Sequence, residues 1–226
     1  MCHMHTPKYN YKELHRQYSD HGRFYAVGGE RPLPSVTTVM SNTSDKEWLT
    51  QWKERVGEAE AKAIVDESVM IGQGMHDLLE SHYTGIHVGK VPVISKIFAD
   101  TVIKKGLSKV DEVWGVEAPL FFPDLYAGTT DLVGVHEGEP AVMDYKNARQ
   151  DKKDEDVDDY KMQLCAYGAA HDELYGTRIR KGVIMMMCRS GRYKEFIIQG
   201  NEYDKYRRMW FATLEKYYVE YGILLP

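Results

Sequence analysis

The chain has 226 residues, enough for one compact domain with an elaboration and short for two independent cores. A hydrophobic share of 43% supports a sizeable core, and 28% charged residues describe a solvated surface. No apolar run nears the roughly 18 residues that cross a bilayer, and Met1 to Tyr11 lacks the apolar stretch of a secretory signal. The expected setting is therefore cytoplasmic, with no membrane partner; compact length suggests a bacterial or phage-infected cell.

The net charge of −5 neither demands nor forbids a polyanionic partner, because local charge decides that contact. Cys2, Cys165 and Cys188 are far apart and show no CxxC spacing. That argues against a disulfide framework and against a four-cysteine metal site, and leaves free thiols, two of them buried. The run Met1-Cys2-His3-Met4-His5 carries no weight, since a chain end rarely holds ligands in fixed geometry.

In chain order, residues 1 to 34 mix polar and aromatic residues with Gly28-Gly29, Pro32 and Pro34, a pattern of irregular structure or short strands. Pro34-Ser35 precedes a helical stretch. Asn42 to Asp45 read as turn and cap residues before a helix over Lys46 to Arg55, with Trp48 and Trp52 on one face. Further helices are expected over Glu58 to Asp66 and over Ser68 to Tyr83, ending near Gly85. The stretch from there to about residue 110 receives no assignment.

Beyond it the pattern turns β-rich, with strands at Val113 to Phe122, Tyr126 to Val135 and Ala141 to Lys146. His136 to Glu139 read as the hairpin turn between the last two. The acidic run Asp151 to Asp159 leads into a helix reaching about Tyr175, where Tyr160, Leu164, Tyr167 and Leu174 recur at near-helical spacing. Ile179 to Cys188 and Tyr193 to Gln199 form a second strand pair turning at Ser190-Gly191. A helix from about Glu202 to Tyr221 follows. The expected fold is α/β: a central mixed sheet flanked by helices, with an N-terminal helical elaboration. Residues 1–110 carry the N-terminal helices of the same domain, and 111–226 the core sheet and C-terminal helices.

Strand alternation puts Val142, Asp144 and Lys146 on one face, and Asp131, Val133 and Val135 on one face of the preceding strand. Pairing across the turn brings Asp131 close to Asp144 or Lys146. Two converging carboxylates repel unless a cation neutralises them, and hard oxygen ligands favour magnesium or manganese. Lys146 adds a positive charge suited to a phosphate in its transition state, so the parts fit metal-assisted phosphodiester hydrolysis.

An isolated D-x-K tripeptide is more often an exposed salt bridge. The preceding run Gly128-Thr129-Thr130-Asp131-Leu132-Val133-Gly134 weighs against that, as do partners on two helices. His76 and Glu80 stand i, i+4 on one face, the imidazole as a ligand and Glu80 as its orienter or a contact through water. Gln163 and Tyr167 share a face in the same way. A polar rim residue and a core aromatic remain the plainer reading of that pair.

Taken together, these residues resemble the PD-(D/E)XK nuclease superfamily in its RecB-like branch. Within it, the chain is similar to the mitochondrial genome-maintenance exonuclease and its bacterial and phage relatives. The matching pieces appear in the family's order: Pro34-Ser35-Val36-Thr37, Trp52-Lys53, and Gly72, His76 and Leu79-Glu80-Ser81. They continue with Gly128 and Asp131, Asp144-Tyr145-Lys146-Asn147-Ala148, and Gln163-Leu164 with Tyr167.

The resemblance implies a restriction-endonuclease-like core with His76, Asp131, Asp144 and the Tyr145 carbonyl as metal ligands. It makes Lys146 the catalytic lysine and gives Gln163 and Tyr167 a part in positioning substrate. Glu117 has no family role and reads as a surface residue or one behind the ligands. Three cysteines cannot build the four-cysteine iron–sulfur cluster of one branch, so none is expected.

The implied activity is a Mg²⁺- or Mn²⁺-dependent DNA exonuclease preferring single-stranded ends, with replication or recombination proteins as partners. A structure-specific endonuclease with the same site, or a non-catalytic nucleic-acid-binding accessory module, are the alternatives. Trp48, Trp52 and Lys53 suit a wall of a single-stranded path, although the tryptophans fit a core equally well. Arg178, Arg180, Lys181, Arg189, Arg192 and Lys194 make the second strand pair locally basic, which suits backbone tracking, although solvated strand edges carry such charges too.

Overall fold

The computed structural model describes residues 6–29 and 31–221. Cys2, His3 and His5 lie outside these residues. Two strands, β1 (His15–Ser19) and β2 (Gly22–Ala26), form a hairpin, and the short β3 (Leu33–Pro34) pairs with β2 to complete a small antiparallel sheet. Ser35 then caps α1 (Val36–Thr43), its hydroxyl accepting the Thr38 amide proton at 2.9 Å. Thr38 in turn exchanges hydrogen bonds with the Arg23 backbone, donating to its carbonyl and accepting from its amide, both at 2.9 Å. The Pro34-to-Thr37 motif thus ties a helix start to the hairpin.

Next come α2 (Glu47–Val56) and the 27-residue α3 (Glu58–Thr84). Two separate helices were expected over this second stretch; one continuous helix is found. Ser68 stands at the expected break, but its hydroxyl bonds back to the Ile64 carbonyl within the helix at 2.9 Å, and nothing interrupts the ladder. Gly85 ends it in the left-handed conformation. Likewise Asn42 and Thr43 belong to the end of α1 and not to a turn.

The unassigned stretch contains α4 (Val93–Lys105). Its buried Ser95, Phe98, Ala99 and Val102 have helical spacing, but Ser95 is polar and breaks the hydrophobic signal. The Ser95 hydroxyl is used instead to bond the Ile71 carbonyl of α3 at 2.9 Å.

The main sheet contains β4 (Val110–Phe122), β5 (Tyr126–His136), β6 (Glu139–Ala148), β7 (Lys181–Cys188) and β8 (Tyr193–Gln199), in that spatial order. Only β6 and β7 run parallel, because α5 (Asp158–Tyr175) makes the crossover between them. The closing helix is α6 (Gly200–Glu220). The sheet is mixed and flanked by helices, as expected.

One sheet face packs Val133, Val142, Ile184 and Met186 against α1, α5 and α6 residues such as Val36, Leu164 and Trp210. The other packs Leu132, Met143, Tyr145 and Met185 against Met75, Leu79, Phe98 and Val102 of α3 and α4. Alternation along β6 therefore sends Asp144 and Lys146 to one side and Tyr145 to the other. No helix among the described residues is long and apolar enough to cross a membrane. Cys165 and Cys188 are buried free thiols.

His171 on α5 is fully buried in an aromatic cluster with Tyr9, Tyr11, Trp114 and Tyr175. Thr177 donates to Asp172, so its oxygen accepts from His171 Nδ1–H at 2.8 Å, and Nε2 is left to accept the Tyr11 hydroxyl proton at 3.0 Å. Both ring nitrogens are thus satisfied in the neutral form. Burial accordingly depresses the imidazole from 6.5 to about 4.

The unfolded chain binds this proton between those values while the folded chain does not, so stability falls as pH drops from 6.5 toward 4. Roughly 3 kcal/mol of the stability present at neutral pH is tied to this one ring. Denaturant unfolding at several pH values should show a steeper acid loss in the native chain than in His171→Phe. Parallel pH profiles for the two would refute the assignment.

Candidate metal and nuclease site

The site begins where β5 and β6 separate. Their backbone ladder ends at the Leu132–Met143 pair. Just beyond it, the Tyr145 amide donates to the Asp131 carboxylate at 2.7 Å instead of to a backbone carbonyl. The splayed strands open onto a groove of about 1110 Å³ lined by α3, β1, β2, β4, β5, β6 and α5. His76, Glu80, Asp131, Asp144, Lys146, Gln163 and Tyr167 all line it.

Two glycines permit these approaches. A Cβ on Gly72 of α3 would stand 2.8 Å from Asn147 Oδ1 at the end of β6. One on Gly128 of β5 would stand 2.7 Å from the Tyr167 ring. The glycine positions in the sequence motifs therefore seat α3 and α5 against the strands that carry the carboxylates.

His76 Nε2 donates to the Tyr145 carbonyl at 3.0 Å, and Nδ1 lies 3.4 Å from Asp131 Oδ1. The Tyr145 carbonyl, expected as a ligand, thus holds the imidazole. Glu80, expected to orient His76, lines the groove while Tyr145 and Asp131 do the orienting. Burial would lower the His76 pKa, but neighbouring Asp131, reinforced by Asp144, overcomes this and raises it to about 9. Burial would push Asp131 up; His76 and Lys146 hold it below the usual carboxylate range.

Ligand atoms of His76, Glu117 and Asp131 all lie within 4.8 Å of one another. Glu117 is the residue that sequence reasoning left at the periphery. Its backbone has φ +45°, unusual for a glutamate. Burial, together with Asp131, raises its carboxyl to about 7. The only early signal was its position on the strand preceding Asp131; nothing local marked the bent backbone that aims it inward.

Asp144 is buried, and Lys146 Nζ stands 2.5 Å from its Oδ2. Burial raises the Asp144 carboxyl to about 6 even with the ammonium alongside. Lys146 also lies 4.9 Å from the centre of the Tyr160 ring, a cation–π contact that helps hold it. Gln163 Nε2 donates to the Tyr167 hydroxyl at 3.3 Å, so this i, i+4 pair is joined as well as co-facial. One nitrogen and carboxylate oxygens suit a hard or borderline divalent cation such as Mg²⁺ or Mn²⁺.

The remaining candidates fall elsewhere. Trp48 is 67% exposed and α2 buries no residue, so its tryptophans are not core; neither they nor Lys53 line the groove. Arg189 pairs with Glu67 at 3.1 Å and Arg192 with Asp151 at 2.6 Å. Arg178 precedes β7, whereas Arg189 and Arg192 follow it. The three sit at opposite ends of a strand and form no single basic track. Their proximity in sequence was misleading because a strand carries its two ends far apart.

No family model matches this chain, and no curated protein matches it. Among solved structures, the protein SSO0001 covers 84% of this chain and 79% of its own, with 16% identity and a TM-score of 0.41. A candidate exonuclease from Eubacterium rectale covers 70% of this chain and 68% of its own, with 13% identity and a TM-score of 0.46. Both likenesses are distant.

Proposed function

We propose that the protein is a divalent-metal-dependent nuclease of the RecB-like PD-(D/E)XK type, acting as an exonuclease on single-stranded DNA ends. The observation that carries this reading is the convergence of His76, Glu117 and Asp131 beside the Asp144–Lys146 pair in one open groove. The first three residues would hold Mg²⁺ or Mn²⁺, which supplies Lewis-acid polarisation of a phosphoryl oxygen when bound.

The chain's own groups do the rest. Lys146 places a positive charge where a phosphate gains negative charge, and Asp144 offers a carboxylate to accept a proton from water. Tyr145 and Asp131 fix the imidazole, while Gln163 and Tyr167 present a joined amide and hydroxyl to the substrate. Fixed side chains limit reorganisation during the reaction.

End-labelled single strands incubated with Mg²⁺ or Mn²⁺ should shorten progressively, and EDTA should stop the reaction. A circular single strand should survive intact. Cutting of the circle would replace exonuclease with endonuclease, and no degradation of any strand at high protein concentration would overturn the nuclease reading.

A further inference from the structure

The groove has two walls of different chemistry. One is the β1–β2 hairpin, where Arg16 faces Tyr25 and Tyr18 faces Arg23 across the strands, placing all four on one face. Arg16 and Arg23 both line the groove. Among the described residues neither guanidinium lies within salt-bridge distance of a carboxylate, and Arg16 acts on Glu117 only at longer range, lowering its carboxyl. Arg149, Arg180, Arg189 and Arg192 are each matched to a carboxylate. Arg23 is steadied by a bond from its side chain to Thr37 Oγ1 at 3.0 Å, and Tyr18 is 75% exposed beside it.

The other wall is α3. Ile64, Val65 and Val69 line the groove, with Val65 46% and Val69 63% exposed. Val65, Val69 and His76 follow one helical stripe, so the apolar patch leads away from His76 over roughly 10 to 16 Å. Exposed valines gain nothing from water, and the two arginines face the groove without a direct salt bridge to its carboxylates.

A polynucleotide single strand has the matching asymmetry, with phosphates along one edge and bases along the other. A duplex shows phosphates on both outer edges and hides its base faces. We infer that Arg16 and Arg23 of the hairpin bind phosphates of a single strand whose unpaired bases lie on the Val65–Val69 stripe, guiding it toward His76 and Asp131. This assignment rests on the nuclease reading for its direction of travel, but its binding chemistry can be measured without cleavage. It places the cationic track on the N-terminal hairpin and not on the second strand pair.

Fluorescence anisotropy of labelled oligothymidylate in EDTA, with gels to verify intact strands, tests it directly. Arg16→Gln should weaken binding about fivefold and reduce the slope of log affinity against log salt by about 0.7, one phosphate contact. Val69→Ser should weaken binding by a comparable factor with the salt slope unchanged, as loss of an apolar base contact requires. Oligouridylate in parallel separates DNA from RNA as the source of the strand, and a duplex of equal length should bind at least about tenfold more weakly.

Unchanged affinity and slope in the Arg16→Gln/Arg23→Gln double variant would overturn the assignment. Equal binding of the duplex, or no binding of any single strand, would do so too. A chain that binds as described yet never cleaves with Mg²⁺ or Mn²⁺ would leave this surface in place and remove only the nuclease reading.

Discussion

Replacing Lys146 with alanine should lower strand cleavage by about a hundred- to a thousandfold, the scale seen when one preorganised charge-stabilising donor is removed. Lys146 lies against the Asp144 carboxylate and is held over the Tyr160 ring. The fold should survive. With its cation gone, the buried Asp144 carboxyl, already raised to about 6, shifts higher and takes up a proton near neutral pH instead of keeping an unpaired charge. Cleavage assays paired with thermal unfolding separate the two effects. Activity within tenfold of the native chain would dismiss Lys146 from the mechanism, and collapse of the fold would make its role structural.

Glu117 should show opposite effects on binding and folding. Glu117→Gly removes one of the three clustered donors and should weaken Mn²⁺ binding by at least about a hundredfold, more than loss of a supporting contact behind a ligand. The same change relaxes a left-handed backbone, φ +45°, and removes a carboxylate that repels Asp131. Unfolding stability should therefore rise by about 1 kcal/mol. Glu117→Gln also removes that repulsion but keeps the backbone strain, so it should lose metal affinity with a smaller gain in stability. Calorimetric Mn²⁺ titration and denaturant unfolding of both variants give the answer. Native Mn²⁺ affinity in both would remove Glu117 from the site.

Much of the fold was legible because its signals are local. Alternating strands from Val113 to Lys146, the Ser190-Gly191 turn and the periodic α5 were all expected near where they occur. Errors arose where a polar residue serves the interior. Ser68 began an expected separate helix and Ser95 lay in the unassigned stretch, yet each hydroxyl bonds a helix carbonyl. Such bonds let serine sit inside a helix or against one, and no periodicity rule anticipates them.

The candidate site divides along the same line. Asp131, Asp144, Lys146, His76, Gln163 and Tyr167 belong to ordered motifs, and all reach one groove. Glu117 reaches the cluster because its backbone is turned into a rare conformation, which the residue type does not announce. Arg16 and Arg23 reach the groove because the Ser35–Thr38 capping network and a bridge from Ser35 to Ala127 fasten the hairpin beside β5.

For this protein, the sequence alone determined the types of most elements, the strand face shared by Asp144 and Lys146, and the residue chemistry suited to a divalent cation and a phosphate. Those properties depend on neighbours a few positions away. Tertiary structure alone decided which carboxylate joins His76 and Asp131, which arginines stay without a direct salt bridge, and where the strands part to open the groove. Those outcomes depend on contacts between distant segments, whose geometry emerges only when the sheet, α3 and the hairpin are packed together.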